Sequence, residues 1–123
     1  MAAERLTIDE IGEQLAEWGT VAIIETRGHR SGQPARAAVG YVLDVDGSVV
    51  VAAGRPEAAW ARNLLADPAC TVTIGEATGL FAAEELDGAE RNAAIASLIL
   101  RYGTPAEGLG RGPAFRLRRV VVD

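Results

Sequence analysis

The chain has no lysine: its 12 basic residues are all arginine, outnumbered by 17 acidic ones, for a formal charge of -5 and a pI near 4.9. An acidic balance of this kind excludes the broad basic face that nucleic-acid phosphates demand, so no nucleic-acid partner is expected and any attraction for anions must be local. Cysteine and histidine are as scarce. Cys70 has no partner for an internal disulfide, and with His29 as the lone histidine there is no ligand set for zinc or a transition metal, so no metal site is expected. No apolar run reaches membrane-spanning length and "MAAERLTIDE" lacks a signal-peptide core, which makes a cytoplasmic protein without an integral membrane segment the default expectation.

Several catalytic signatures are missing too. No strand runs into G-x-G-x-x-G or G-x-x-x-x-G-K-[ST], which excludes dinucleotides and nucleotides held in those ways. No serine stands in a G-x-S-x-G elbow, and Cys70 falls on the apolar phase of an alternating strand, where it reads as a small core residue. At 123 residues the chain is long enough for one cored domain, taken as residues 1–123, without disulfides or structural metal.

What is present is an alternation of short strands with a few helices. "LTIDEIGEQLAEWG" reads as an opening helix with Thr7 as cap and Glu10 completing a capping box, stopped by Gly19. "TVAIIET", "RAAVGYVLD" and "SVVVAA" read as strands, the last two joined by a turn at Asp46-Gly47. "GRPEAAWARNLLADP" reads as a short helix with Pro56 near its start. "CTVTI" and "TGLFAAEEL" are further strands. A long helix follows from the capping candidate Asp87, with Ile95, Leu98, Ile99 and Tyr102 on one stripe, and "AFRLRRVVV" closes the chain as a strand in which Phe115 and Leu117 alternate with Arg116 and Arg118. About six mostly antiparallel strands with flanking helices make an α+β antiparallel sheet or small barrel the expected class.

The basic residues are not spread evenly. No acidic residue lies between Glu25 and Asp44, and that interval holds "TRGHRSGQPAR", with Arg27, Arg30 and Arg36 beside two glycines and Ser31. Glycine N–H groups, a hydroxyl and arginine forks could cradle an anion; an ordinary hairpin loop with solvated charges is the alternative. A second candidate is "GRPEAAWARNL", where Gly54 and Arg55 precede a helix start and Trp60 and Asn63 lie a turn apart, able to offer an aromatic wall and an amide to a ring system; the alternative is that Trp60 packs into the core while Asn63 caps the helix or faces water. His29 has no partner in sequence and reads as an extra donor or an exposed side chain rather than a catalyst. Tyr102, on its helix's apolar stripe, reads as core, and Arg111 in the last connector either joins an anion site or belongs to a tether.

Taken in order, a strand, "G-x-R-S-G-Q-P" at 28–34, a hairpin, and "W-x-x-N-L" at 60–64 ahead of an alternating strand resemble the deazaflavin (coenzyme F420)-dependent nitroreductase and quinone reductase family, whose members are split β-barrels of the FMN-binding-like type. The resemblance spans residues 20–75. It implies that Arg30, Ser31 and Gly32, with His29 and Arg36, hold the coenzyme's negatively charged tail, that Gly54 and Arg55 border the deazaflavin ring, and that Trp60 lies near the substrate side with Asn63 in the same helix, both among the cofactor-binding residues. This chain departs from the pattern with His29 at a usually basic position, Ala35 before Arg36, and a short segment between Arg55 and Trp60. The implied activity is hydride transfer from reduced F420 to an electron-poor small molecule such as a quinone, an enone or a nitro compound, with no catalytic residue identified. An FMN-dependent oxidoreductase and a non-catalytic carrier are the alternatives, and a homodimer is compatible with a split barrel.

Overall fold

The computed structural model describes residues 19–103 and 111–121, so the expected opening helix, with Thr7 and Glu10, lies outside the described residues. Strands β1 (Ala22–Arg27), β2 (Pro34–Val39), β3 (Val42–Leu43), β4 (Val49–Ala52), β5 (Ala69–Ile74), β6 (Ala77–Leu86) and β7 (Ala114–Arg119) form one sheet, with helix α1 (Ala59–Ala66) between β4 and β5 and helix α2 (Gly88–Tyr102) between β6 and β7. The strand order is β2-β1-β5-β6-β7-β4-β3, and every pairing is antiparallel.

That order requires curvature. β2 and β3 are opposite edges of the sheet, yet Gly40 and Tyr41 alone connect them. A flat sheet would set the edges about 29 Å apart at the usual strand spacing, whereas a link of this length spans at most about 11 Å. The sheet therefore curls into a half-barrel that brings its edges together. "RAAVGYVLD", expected as one strand, breaks at this point, which makes seven strands of the expected six. Gly40 suits the break because a Cβ there would lie 3.0 Å from Tyr102 Cε2.

The concave side is filled by alternate residues: Ile24, Val49, Val51, Val72, Phe81, Phe115 and Leu117 form one cluster, closed by Ala61 and Leu64 of α1. Cys70 belongs to this cluster, as expected, and burial pushes its thiol up to about 11. β4 shows no alternation of exposure, because its second face, Val50 and Ala52, lies under Ala94 and Leu98 of α2. Full burial of Leu98 contributes about 1.5–3 kcal/mol.

Two expectations about helices are refined. α1 begins at Ala59 rather than near Pro56, and its N-cap, Ala58, has no side-chain acceptor to offer. α2 does start after Asp87, but the Asp87 side chain makes no capping bond.

Candidate functional site

Arginine pairing separates structural charges from available ones. Arg116 reaches Asp44 and Ser48, Arg118 reaches Asp46 at 3.0 Å, and Arg101 stacks 4.4 Å over the Tyr41 ring. The closing strand's arginines thus pin the β3–β4 turn. The Arg116 guanidinium and the Val45 N–H hold Asp44 below its usual range, and bonds from the Ser48 hydroxyl and N–H, aided by Arg118, bring Asp46 to about 2. By contrast, the Arg27 and Arg30 side chains are exposed and, among the described residues, have no ion pair, hydrogen bond or ring contact.

The loop between β1 and β2 is built to hold its shape. Gly28 N–H donates to Gln33 O at 2.8 Å and Gly32 N–H to Gly28 O at 2.9 Å, while Ser31 Oγ accepts from Gln33 N–H at 3.1 Å. Gly32 has φ of +74°, a left-handed turn that favours glycine. These bonds correct one expectation: the glycine N–H groups are consumed inside the loop, so they are not the anion donors. The donors left without partners among the described residues include the consecutive N–H groups of Arg30 and Ser31, the Ser31 hydroxyl proton and the Arg30 fork. Two adjacent free amides beside a guanidinium are chemistry suited to a phosphate or carboxylate oxygen.

Asn63 ties this loop to α1. Its Oδ1 accepts from His29 N–H at 2.9 Å and lies 2.6 Å from His29 Nδ1, while its Nδ2 donates to Thr26 Oγ1 at 2.9 Å. Asn63 is 2% exposed and Thr26 3%. The amide expected to face a bound ring system is therefore turned into the protein, where it anchors the loop. Thr26 escaped the sequence reading; its sole signal there is a polar residue on the inward phase of an apolar strand.

The remaining candidates occupy distinct places. Trp60 is half-buried against the barrel core, its ring centroid 6.0 Å from that of Phe115 and tilted by 58°. Arg55 is exposed, 4.0 Å from Glu57, and its carbonyl accepts from Ala58 N–H at the start of α1. Gly54 precedes it at the exit of β4. α1 is thus shared by both segments, meeting the loop through Asn63 and Arg55 through Ala58. Gly112 packs tightly against the same stretch: a Cβ there would lie 2.5 Å from Ala53 O and 2.8 Å from Arg55 O. Arg36 stands opposite Glu25 on the exposed convex phase of β2, while the inward phase carries Ala35 and Ala37. A cleft of about 240 Å³ beside the loop is lined by Arg27, Gly32 and Pro34 together with Thr71 and Leu80; Arg55 and Trp60 do not line it.

Solved structures share this fold. An F420-H2 dependent reductase, FDR-A, superposes with a TM-score of 0.69 at 24% identity over 80% of this chain and 94% of that one. HutZ, the heme storage protein from Vibrio cholerae, gives 0.70 at 20% identity, covering 93% and 90%. A chain described as a domain-swapped dimer gives 0.68 at 22% identity, covering 94% and 99%. At these identities the likeness establishes the split-barrel fold. No curated protein matches the sequence. The family model that does match is that of the F420H(2)-dependent quinone reductases, and it covers residues 1–104, most of the chain, which therefore belongs to that family.

Proposed function

We propose that the chain reduces an electron-poor small molecule, a quinone first and an enone or nitro compound by extension, with the β1–β2 loop gripping the coenzyme's tail. Family membership makes it an F420H2-dependent reductase with coenzyme F420 as its cofactor. When bound, reduced F420 supplies the hydride, the chemistry the protein's own side chains cannot provide. The observation that carries the tail assignment is the set of unpaired donors at Arg30 and Ser31 in a chain whose other arginines include several committed to internal contacts. That donor set fits the coenzyme's negatively charged tail. Arg30 supplies a charged fork, Ser31 a hydroxyl proton, and Gly32 the left-handed turn that holds both in place.

In this reading Gly54, Arg55 and Trp60 border the coenzyme ring and the acceptor. Trp60 adds a flat apolar surface that excludes water, and Arg55 a cation at the mouth of the site. Asn63 acts from inside by fixing the loop, and Arg36, on the convex phase, contributes to the field rather than to a direct contact. A cytoplasmic location and a homodimer complete the proposal; light scattering tests the latter.

Anaerobic titration of purified protein with F420 and, separately, with FMN tests the cofactor, followed by a screen of quinone, enone and nitro acceptors. Saturable F420 binding with turnover of a quinone is the expected result. Tight FMN binding without a response to F420 would overturn it, and F420 binding without turnover of any acceptor would leave a carrier.

A further inference from the structure

The bonds around Asn63 determine which nitrogen of His29 carries a proton. The His29 backbone N–H can only donate, so the Asn63 atom 2.9 Å from it must be the amide oxygen. The reversed amide would set two donors against each other. That same oxygen lies 2.6 Å from His29 Nδ1 and can only accept, so Nδ1 must carry the hydrogen. Thr26 supports the arrangement from behind, its Oγ1 accepting from Asn63 Nδ2 at 2.9 Å. Nε2 lies on the far side of the ring, on an exposed residue, with no partner among the described residues.

We infer that Asn63 is a positioning residue that locks neutral His29 in its Nδ1–H form, so that Nε2 is presented to the ligand as a hydrogen-bond acceptor for a hydroxyl group. Beside the free amides of Arg30 and Ser31 and the guanidinium of Arg30, which can only donate, an imidazole acceptor adds selectivity. The loop then recognises a ligand that carries a hydroxyl next to an anionic group, and a bare anion satisfies only part of it. The ligand half of the inference rests on the tail-binding reading above; the tautomer half does not.

His29 is the chain's single histidine, so its ring nitrogens give unambiguous signals in 15N-histidine-labelled protein. Two-bond 1H–15N correlation spectra of the free protein, at a pH where the ring is neutral, are expected to show the Nδ1–H pattern. An Nε2–H pattern would overturn the lock, and no variant is needed to see it. Asn63→Ala is expected to convert the ring to mostly Nε2–H, while Asn63→Asp, which keeps an accepting oxygen, retains Nδ1–H; an unchanged tautomer in Asn63→Ala would reject Asn63 as the cause. On saturation with F420, followed by cofactor fluorescence, the unprotonated Nε2 resonance should move while Nδ1–H persists. Bound F420 with an unmoved Nε2, or with both nitrogens protonated, would overturn the hydroxyl acceptor role. Failure of F420 to bind would instead remove the tail-binding reading, and the ligand half with it, leaving the tautomer decided by the free protein.

Discussion

The Tyr102 hydroxyl accepts a hydrogen bond from the Tyr41 N–H at 2.9 Å and donates to Thr20 O at 2.7 Å, tying the end of α2 to the two-residue link that joins the sheet's opposite edges. Tyr102 is thus a latch on the barrel seam, in keeping with the core role expected for it. Tyr102→Phe keeps the ring that packs against Gly40 but leaves the Tyr41 N–H without an acceptor. A loss of about 1–3 kcal/mol in stability is expected from urea unfolding, with F420 affinity unchanged. A variant as stable as the parent would show that water replaces the hydroxyl.

Arg30→Ala removes the exposed fork that the tail-binding reading relies on. A charge-assisted bond of this type contributes about 1.5–3 kcal/mol, so F420 affinity should fall roughly tenfold to a hundredfold. Because the side chain is exposed, the difference should shrink as salt is raised. Equal affinities in the two proteins at low salt would reject the loop as the tail site.

Gly112→Ala tests how the last connector supports Arg55. The added Cβ would approach two backbone carbonyls, Ala53 O at 2.5 Å and Arg55 O at 2.8 Å, and backbone cannot swing aside as a side chain tip can. Overpacking of this kind costs about 1–3 kcal/mol. Both the melting temperature and cofactor affinity should drop, and a fall in melting temperature alone would separate Arg55 from the binding site.

Acid should loosen the β3–β4 turn at an unusually low pH. The folded-state value of Asp46 is about 2 against an ordinary 3.8, and Asp44 is also lowered. A depressed carboxylate contributes stability that is present above the ordinary value and is lost as pH falls through the folded one. The Ser48 amide resonance, which reports the bond to Asp46, should therefore titrate with a midpoint near 2. A midpoint near 3.8 would mean that the Asp46 contacts do not persist in solution.

Cys70 should be inert. Buried in the barrel core, with its thiol at about 11, it has little thiolate at neutral pH. A disulfide reagent should modify it at the rate of global unfolding and rapidly in denaturant. Fast labelling of the native protein would show that the core opens locally.

Much of the frame was legible because it depends on short-range rules. The alternation in "CTVTI" and "AFRLRR", the Asp46-Gly47 turn and the start of α2 after Asp87 follow from neighbours in sequence, and each is present. The break at Gly40 was not legible. Gly40 apart, "RAAVGYVLD" is suited to a strand, and what holds the break is Tyr102, 61 residues away in its bond to Tyr41. α1 likewise starts later than Pro56 suggests, because the Ala58 N–H bonds to Arg55 O in a turn before the helix begins.

The sequence by itself determined that a basic, glycine-containing loop would stand apart in an acidic chain, and it carried the order of motifs that marks the family, since composition and spacing are properties of the chain alone. Which atoms of that loop remain available was decided by tertiary structure. Gly28 and Gly32 N–H are spent within the loop, Asn63 turns inward to hold His29, and Arg36 faces the convex side across from Glu25. The physical reason is that a hydrogen-bond donor is free or used according to what the fold brings within about 3 Å of it, and residue type carries no record of that distance.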